Sequence, residues 1–173
     1  MKNNQRIGIE IERKYIIKMP DIAVLSAQPS YRRYEIVQTY LNSIPGVTRR
    51  VRSLSLDGAT RYIETVKVRI DQMSSTEVEN DLTKEQYLEL LEESDPAASP
   101  ITKVRHRFFI DGQPFEVDIY PQWQNTAIME TELENREKEV KIPSFIEIIR
   151  GVTGEKSYTN AGMARSFPKE DEI

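Results

Sequence analysis

Polar and apolar positions alternate with a period of two through most of this chain, and eight segments carry the pattern: residues 7–17, 34–42, 47–56, 61–70, 76–82, 101–110, 113–120 and 127–135. Side chains two apart on a strand point to the same face, so each segment predicts a strand with one apolar and one polar side. Turn residues separate them: Pro45 and Gly46 close the second, and Asp57-Gly58 and Asp111-Gly112 mark tight hairpins. The period shifts to that of a helix over 84–94, where Thr83 stands as the cap and Tyr87, Leu88, Leu90 and Leu91 form a stripe. Two further short helices are predicted at 21–28 and 143–152, and the polar end of the chain predicts a disordered tail over 165–173. Eight strands in mostly antiparallel order with few helices predict an α+β fold built on a closed or nearly closed sheet.

The polar faces are unusual because they are charged and, past the first strand, each carries one sign. Glu10, Glu12 and Lys14 open the series. Arg50 and Arg52 follow, then Lys67 and Arg69, Glu77 and Glu79, the trio Lys103, Arg105 and Arg107, Glu116 and Asp118, and Glu130 and Glu132. A merely wetted strand mixes Ser, Thr, Gln and both signs of charge. Like charges two apart repel unless opposite charge lies across from them, on a neighbouring strand or on a ligand with its metals. Basic strands suit a polyanion and acidic strands suit hard cations, so the two together point to a metal-bound polyphosphate. If the charged face lines the barrel, Ile9, Ile11, Val51, Val66, Val78, Val104 and Val117 lie outside and need covering by helices or a second subunit.

Composition narrows the chemistry. The 173 residues are 30% charged and 38% hydrophobic, which fits one domain with a charged interior. A net charge of −4 disfavours nonspecific nucleic-acid binding. With no cysteine, disulfides, thiolate nucleophiles and Cys-ligated metals are excluded, and one histidine, His106, on the apolar parity, reads as structural. Nothing near Met1 resembles a signal peptide, and no apolar run approaches the roughly 20 residues of a membrane helix. A membrane barrel is disfavoured by Arg13, Arg49 and Asn80 on the apolar parity. A cytoplasmic location is the expectation.

Glu10, Glu12 and Lys14 form a Glu-x-Glu-x-Lys motif, followed in order by "RRVR", "TVK", "EVEND", "KVRHR", "FEVDIY", "METELE" and "TGEKSYTNAGMA". This succession resembles the CYTH superfamily, the triphosphate tunnel metalloenzymes, over about residues 7–164, nearly the whole chain. The resemblance implies a single domain over 1–173, an eight-stranded antiparallel tunnel with flanking helices, and binding of a triphosphate with magnesium or manganese. Lys14, Arg50, Arg52, Lys67, Arg69, Lys103, Arg105, Arg107 and Lys156 are the expected substrate-binding bases. The expected metal ligands are Glu10, Glu12, Glu116, Asp118, Glu130 and Glu132, with Glu77 and Glu79 holding bases in place. Tyr40, Lys14 and Lys103 are the expected catalytic groups; Tyr40 sits where some relatives have a tyrosine proposed to assist the attacking water.

Hydrolysis of inorganic triphosphate, releasing phosphate, is the expected activity. Alternatives on the same scaffold are a class IV adenylyl cyclase and a thiamine or nucleoside triphosphatase, and outside catalysis a polyphosphate or nucleotide sensor. No nucleic-acid or membrane partner is expected, and the apolar strand faces are compatible with a homodimer.

Overall fold

Strand β1, Gln5–Lys18, is long enough to be shared between neighbours, and this determines how the sheet closes. In the computed structural model, which describes residues 4–173, the first half of β1 pairs with β5 (Ser74–Leu82) and the second half with β8 (Thr126–Glu132). The remaining strands are β2 (Arg32–Leu41), β3 (Val47–Leu56), β4 (Ala59–Arg69), β6 (Ile101–Ile110) and β7 (Gln113–Ile119). Their order β5-β4-β3-β2-β6-β7-β8-β1, with β1 returning to β5, is a closed eight-stranded antiparallel barrel. Residues 1–3 of the expected domain lie outside the described residues.

The two Asp-Gly hairpins form as predicted. Asp57 and Gly58 have φ of 50° and 81°, and Asp111 and Gly112 of 49° and 77°, the pair of left-handed residues that a two-residue turn of this twist requires. The predicted 84–94 helix is α2, Lys84–Leu91, held by a reciprocal capping box between Thr83 and Gln86. It covers Leu41, Val51, Tyr62 and Leu82 on the barrel exterior. Helix α1, Ile22–Ser26, starts where Asp21 accepts from the Ala23 N–H, and its Leu25 is packed with Phe108, Phe115, Val117 and Met129. The apolar strand faces are therefore outside and the charged ones inside. Arg49, on the outer face, is satisfied by Glu64 and by Glu93 just past α2. His106 is buried on that face beside the Tyr31 hydroxyl, 2.8 Å from Nδ1.

Two expectations for the C-terminal third are corrected. The predicted helix at 143–152 is instead a short strand, β9 (Ile148–Gly151), paired with Tyr15–Ile17 of β1. Where β5 leaves β1, that stretch of β1 offers unpaired backbone groups. Ile148 and Ile149 are β-branched and suit an edge that needs a partner. The tail is ordered as well. Phe167 stacks edge-on with Tyr120 and Trp123, and the Trp123 Nε1–H donates to Pro168 O at 2.9 Å. The Glu170 carboxylate accepts the N–H groups of Gln124 and Asn125 at 3.0 and 2.6 Å and the Thr126 hydroxyl at 2.9 Å. Between them a 3-10 turn, Lys156–Tyr158, and helix α3, Asn160–Arg165, close one end of the barrel over Ile16, Tyr40, Ile101 and Ile128.

Candidate active site

Along β1 the inward residues run Glu10, Glu12, Lys14, Ile16; along β6 they run Ile101, Lys103, Arg105, Arg107; along β8, Ile128, Glu130, Glu132. Strand direction and register thus stack an apolar floor beneath a charged wall. The cavity above that floor holds about 370 Å³, the low end of small-ligand sites. It is lined by Glu10, Glu12, Lys14, Tyr40, Arg50, Arg52, Lys67, Arg69, Glu77, Glu79, Lys103, Arg105, Arg107, Glu116, Glu130 and Glu132. All of these were singled out in the sequence as site or supporting residues.

Two predicted residues are placed elsewhere. Lys156 is exposed outside the cavity, because the 3-10 turn that carries it points it to solvent while Tyr158 turns inward. Asp118 has no exposed surface and lies behind the wall rather than on it. Its Oδ1 accepts from Arg105 Nε at 2.7 Å, and its Oδ2 from Arg105 Nη2 at 2.7 Å and Lys103 Nζ at 2.6 Å. Three charge-assisted bonds occupy this carboxylate, whose place in the fold is that of a buried counter-ion. Sequence reading missed Thr159 and Asn160, which line the floor, together with Tyr34, Thr65 and Arg61. Asn160 Oδ1 accepts from Tyr120 at 3.0 Å and from Lys103 at 3.3 Å, tying α3 to the site. Lone polar residues in an aperiodic stretch gave no signal for this.

Most charges are paired with residues distant in sequence. Lys67 Nζ lies 2.6 Å from Glu10 and 3.1 Å from Glu77; Arg52 lies 2.5 Å from Glu79, and Lys14 2.7 Å from Glu130. Arg105 also reaches Glu130 at 3.2 Å and Glu116. Burial works against the charge on Lys14, but Glu130 and Glu12 more than offset it and raise its pKa. Lys103 goes the other way: burial, with Arg105 adding to it, outweighs Asp118 and lowers the ammonium to about 8. Burial, with Arg50 next to it, lowers Arg52 to about 10.

The pairing is incomplete on both sides. The Nε–H groups of Arg50 and Arg52 are buried without a hydrogen-bond partner, and that of Arg107 comes no closer than 3.6 Å to Glu116, so all three are donors available to an anion. Among the described residues Glu12 and Glu132 make no ion pair, although they are direct cross-strand partners of β1 and β8. Like charges so placed destabilise each other. Burial, followed by Glu116, raises the Glu132 pKa. Burial also pushes Glu10 up to about 7, with Lys67 opposing and Glu12 and Glu77 adding. No three acidic or histidine side chains among the described residues converge tightly enough to clasp an ion unaided. The cavity lining nevertheless holds nine bases against seven acids. With Asp118, the counter-ion of Lys103 and Arg105, counted as an eighth acid, a triphosphate of about four negative charges would leave roughly three uncompensated in a low-dielectric space, which divalent cations supply. The residues present therefore fit a polyanion that arrives with a hard cation.

No protein-family model and no curated protein matches the sequence. Solved structures do. The inorganic triphosphatase NE1496 superposes with a TM-score of 0.58 at 24% identity, covering 92% of this chain and 96% of that one. A conserved hypothetical protein from Pyrococcus furiosus matches with a TM-score of 0.57 at 20% identity, covering 74% and 80% of the two chains. The PH1819 protein from Pyrococcus horikoshii OT3 gives 0.56 at 16% identity over 74% and 80%. At these identities the likeness establishes the fold, the eight-stranded tunnel that the sequence motifs implied.

Proposed function

We propose that the chain is a triphosphate tunnel metalloenzyme of the CYTH superfamily, hydrolysing inorganic triphosphate to release phosphate with magnesium or manganese bound. The observation that carries this reading is that Arg Nε–H donors without a hydrogen-bond partner share one cavity lining with Glu12 and Glu132, which make no ion pair among the described residues. Glu12 and Glu132 would hold the cation, with Glu10 and Glu116 beside them. When bound there, it supplies charge neutralisation on the phosphoryl oxygens and an acidified water.

The chain's own groups do the rest. Arg50, Arg52 and Arg107 present forked donors to non-bridging oxygens, while Lys14, Lys67 and Lys103 act as point charges. Arg105 is fixed by Asp118, Glu116 and Glu130, so its remaining surface meets the anion without reorganising. Tyr40 stands on the floor with its hydroxyl 3.4 Å from Gln38 Nε2, where it can orient a water. Glu77 and Glu79 hold Lys67 and Arg52 in position. Preorganised charge of this kind is the main catalytic resource in phosphoryl transfer, and no covalent nucleophile is needed.

Among the described residues no helix is long and apolar enough to cross a membrane. We place the activity in the cytoplasm.

The test is incubation with magnesium and, separately, tripolyphosphate, ATP and thiamine triphosphate, with phosphate, pyrophosphate and cyclic AMP measured. Phosphate released mainly from tripolyphosphate is the expected result. Cyclic AMP from ATP, preferential turnover of an organic triphosphate, or tight binding without product would each overturn it, in favour of a cyclase, another triphosphatase or a sensor.

A further inference from the structure

The floor of the tunnel is closed by a segment outside the barrel strands. Thr159, Asn160 and Ala161, at the junction of the 3-10 turn with α3, line the cavity there. Gly162 lets the segment sit so tightly: a Cβ on it would stand 1.9 Å from the Lys156 carbonyl oxygen, so only glycine allows the turn to fold back against α3. The same segment meets two of the cavity lysines. Lys14 Nζ donates to Tyr158 O at 3.4 Å, and Lys103 Nζ donates to Asn160 Oδ1 at 3.3 Å.

Asn160 is only 9% exposed, and a carboxamide so placed is costly unless its polar groups find partners. It can accept twice at Oδ1 and donate twice from its NH2 group. Its neighbours fix which end points where. The Lys103 ammonium has donors only, so it must face Oδ1, and the Tyr120 hydroxyl donates to the same oxygen at 3.0 Å. Both acceptor positions are thereby filled, and the NH2 group turns away from Lys103 and Tyr120. Among the described residues nothing accepts from it, although Asn160 belongs to the cavity lining. The adjacent Thr159 hydroxyl is used internally, accepting from the Gly162 N–H at 3.0 Å and donating to Lys156 O at 2.8 Å. Lys103 matches Asn160: two of its three N–H groups go to Asp118 and Asn160, which leaves one. Because Asn160 Oδ1 and Nδ2 share one carbon, the remaining donors of the two side chains stand side by side.

We infer that the Asn160 side-chain amide is a substrate contact, donating beside Lys103 to the terminal phosphoryl group of a triphosphate that reaches the tunnel floor. A neutral donor suits this position, since another cation would face both Lys14 and Lys103. Lys103 and Tyr120 orient the amide before a ligand arrives, so little freedom is lost on binding. The inference rests on the reading of the cavity as a triphosphate site, and holds whichever triphosphate fills it.

The test titrates the 15N-labelled chain with tripolyphosphate and, separately, with ATP, without divalent cation. The Asn160 NH2 signals are assigned by their absence from Asn160→Asp. A saturable downfield shift of one Asn160 NH2 proton is expected, while the NH2 signals of exposed Asn42, bonded to Glu93 O, stay in place. In a second arm, Asn160→Asp keeps an acceptor for Lys103 and Tyr120 and should hold its melting temperature. It sets an oxygen where the donor stood, so triphosphate binding should weaken roughly tenfold or more. A triphosphate that raises the native melting temperature without moving the Asn160 signals would overturn the inference, as would an Asn160→Asp chain that binds as tightly as the native one. If ATP alone binds, the inorganic triphosphatase reading is refuted, while a shift of the Asn160 signals with ATP still supports the contact; binding of neither overturns both. Should Asn160→Asp melt early, Asn160→Ser supplies the assignment and the signal shift decides alone.

Discussion

Asp118→Asn separates a buried counter-ion from a metal ligand. The native carboxylate has no exposed surface and accepts three bonds of 2.6–2.7 Å from two cations. Asparagine keeps the shape but offers one acceptor oxygen, and its NH2 group turns toward Lys103 or Arg105, donor against donor. Removing one partner of a buried ion pair costs about 3–5 kcal/mol, because the remaining charge stays buried without compensation. For a chain of this length each kcal/mol moves the melting temperature by roughly 2–4 °C, so a fall of about 6–20 °C is expected. Total stabilities of about 5–15 kcal/mol leave the variant folded in the cold. The assay is calorimetry or circular dichroism without and with added magnesium, alongside titration of magnesium binding. A loss of stability equal in both conditions, with cation affinity kept within a few-fold, is the expected pattern. An unchanged melting temperature together with collapse of magnesium binding would place Asp118 among the ligands and refute its role as a counter-ion.

Glu132→Gln should behave in the opposite way: relief of the Glu12–Glu132 repulsion raises metal-free stability by about 0.2–1 kcal/mol, while cation binding and turnover are lost; a destabilised variant that still turns over would remove Glu132 from the site. Lys103 gives a pH signature. Its folded pKa of about 8 lies below the ordinary lysine value of 10.5 that the unfolded chain keeps, so between these values the unfolded chain binds more protons and stability rises with pH. Denaturant titration should show a rise of about 3 kcal/mol across that window relative to Lys103→Met, and parallel profiles for the two proteins would show that the ammonium is not depressed. Glu170→Ala removes the carboxylate that clamps 124–126. The emission of the sole tryptophan, Trp123, should shift to the red as Phe167 and Pro168 leave it, and an unshifted spectrum would mean that the tail holds without its clamp.

Alternation alone fixed a great deal. It determined the strands, their turns, and the face each of Glu10, Arg52, Lys67, Lys103 and Glu132 occupies, because a strand's two faces are a local property of the backbone. Hence nearly every charged residue of the cavity was legible before the fold, Arg61 being the exception, while uncharged lining residues such as Tyr34, Thr65 and Asn160 were not. What alternation could not determine is which charge meets which: Lys67 finds Glu10 and Lys14 finds Glu130 across 57 and 116 positions, through pairings that exist only once the sheet closes. The same limit explains Asp118, whose parity matches Glu116 but whose depth behind Lys103 and Arg105 depends on strand stagger. Residues 148–151 became a strand because β1 had an edge to offer, and the tail ordered because Trp123 and the 124–126 backbone were there to receive it. Short-range pattern sets what each segment is; long-range closure sets which partners its backbone and charges find.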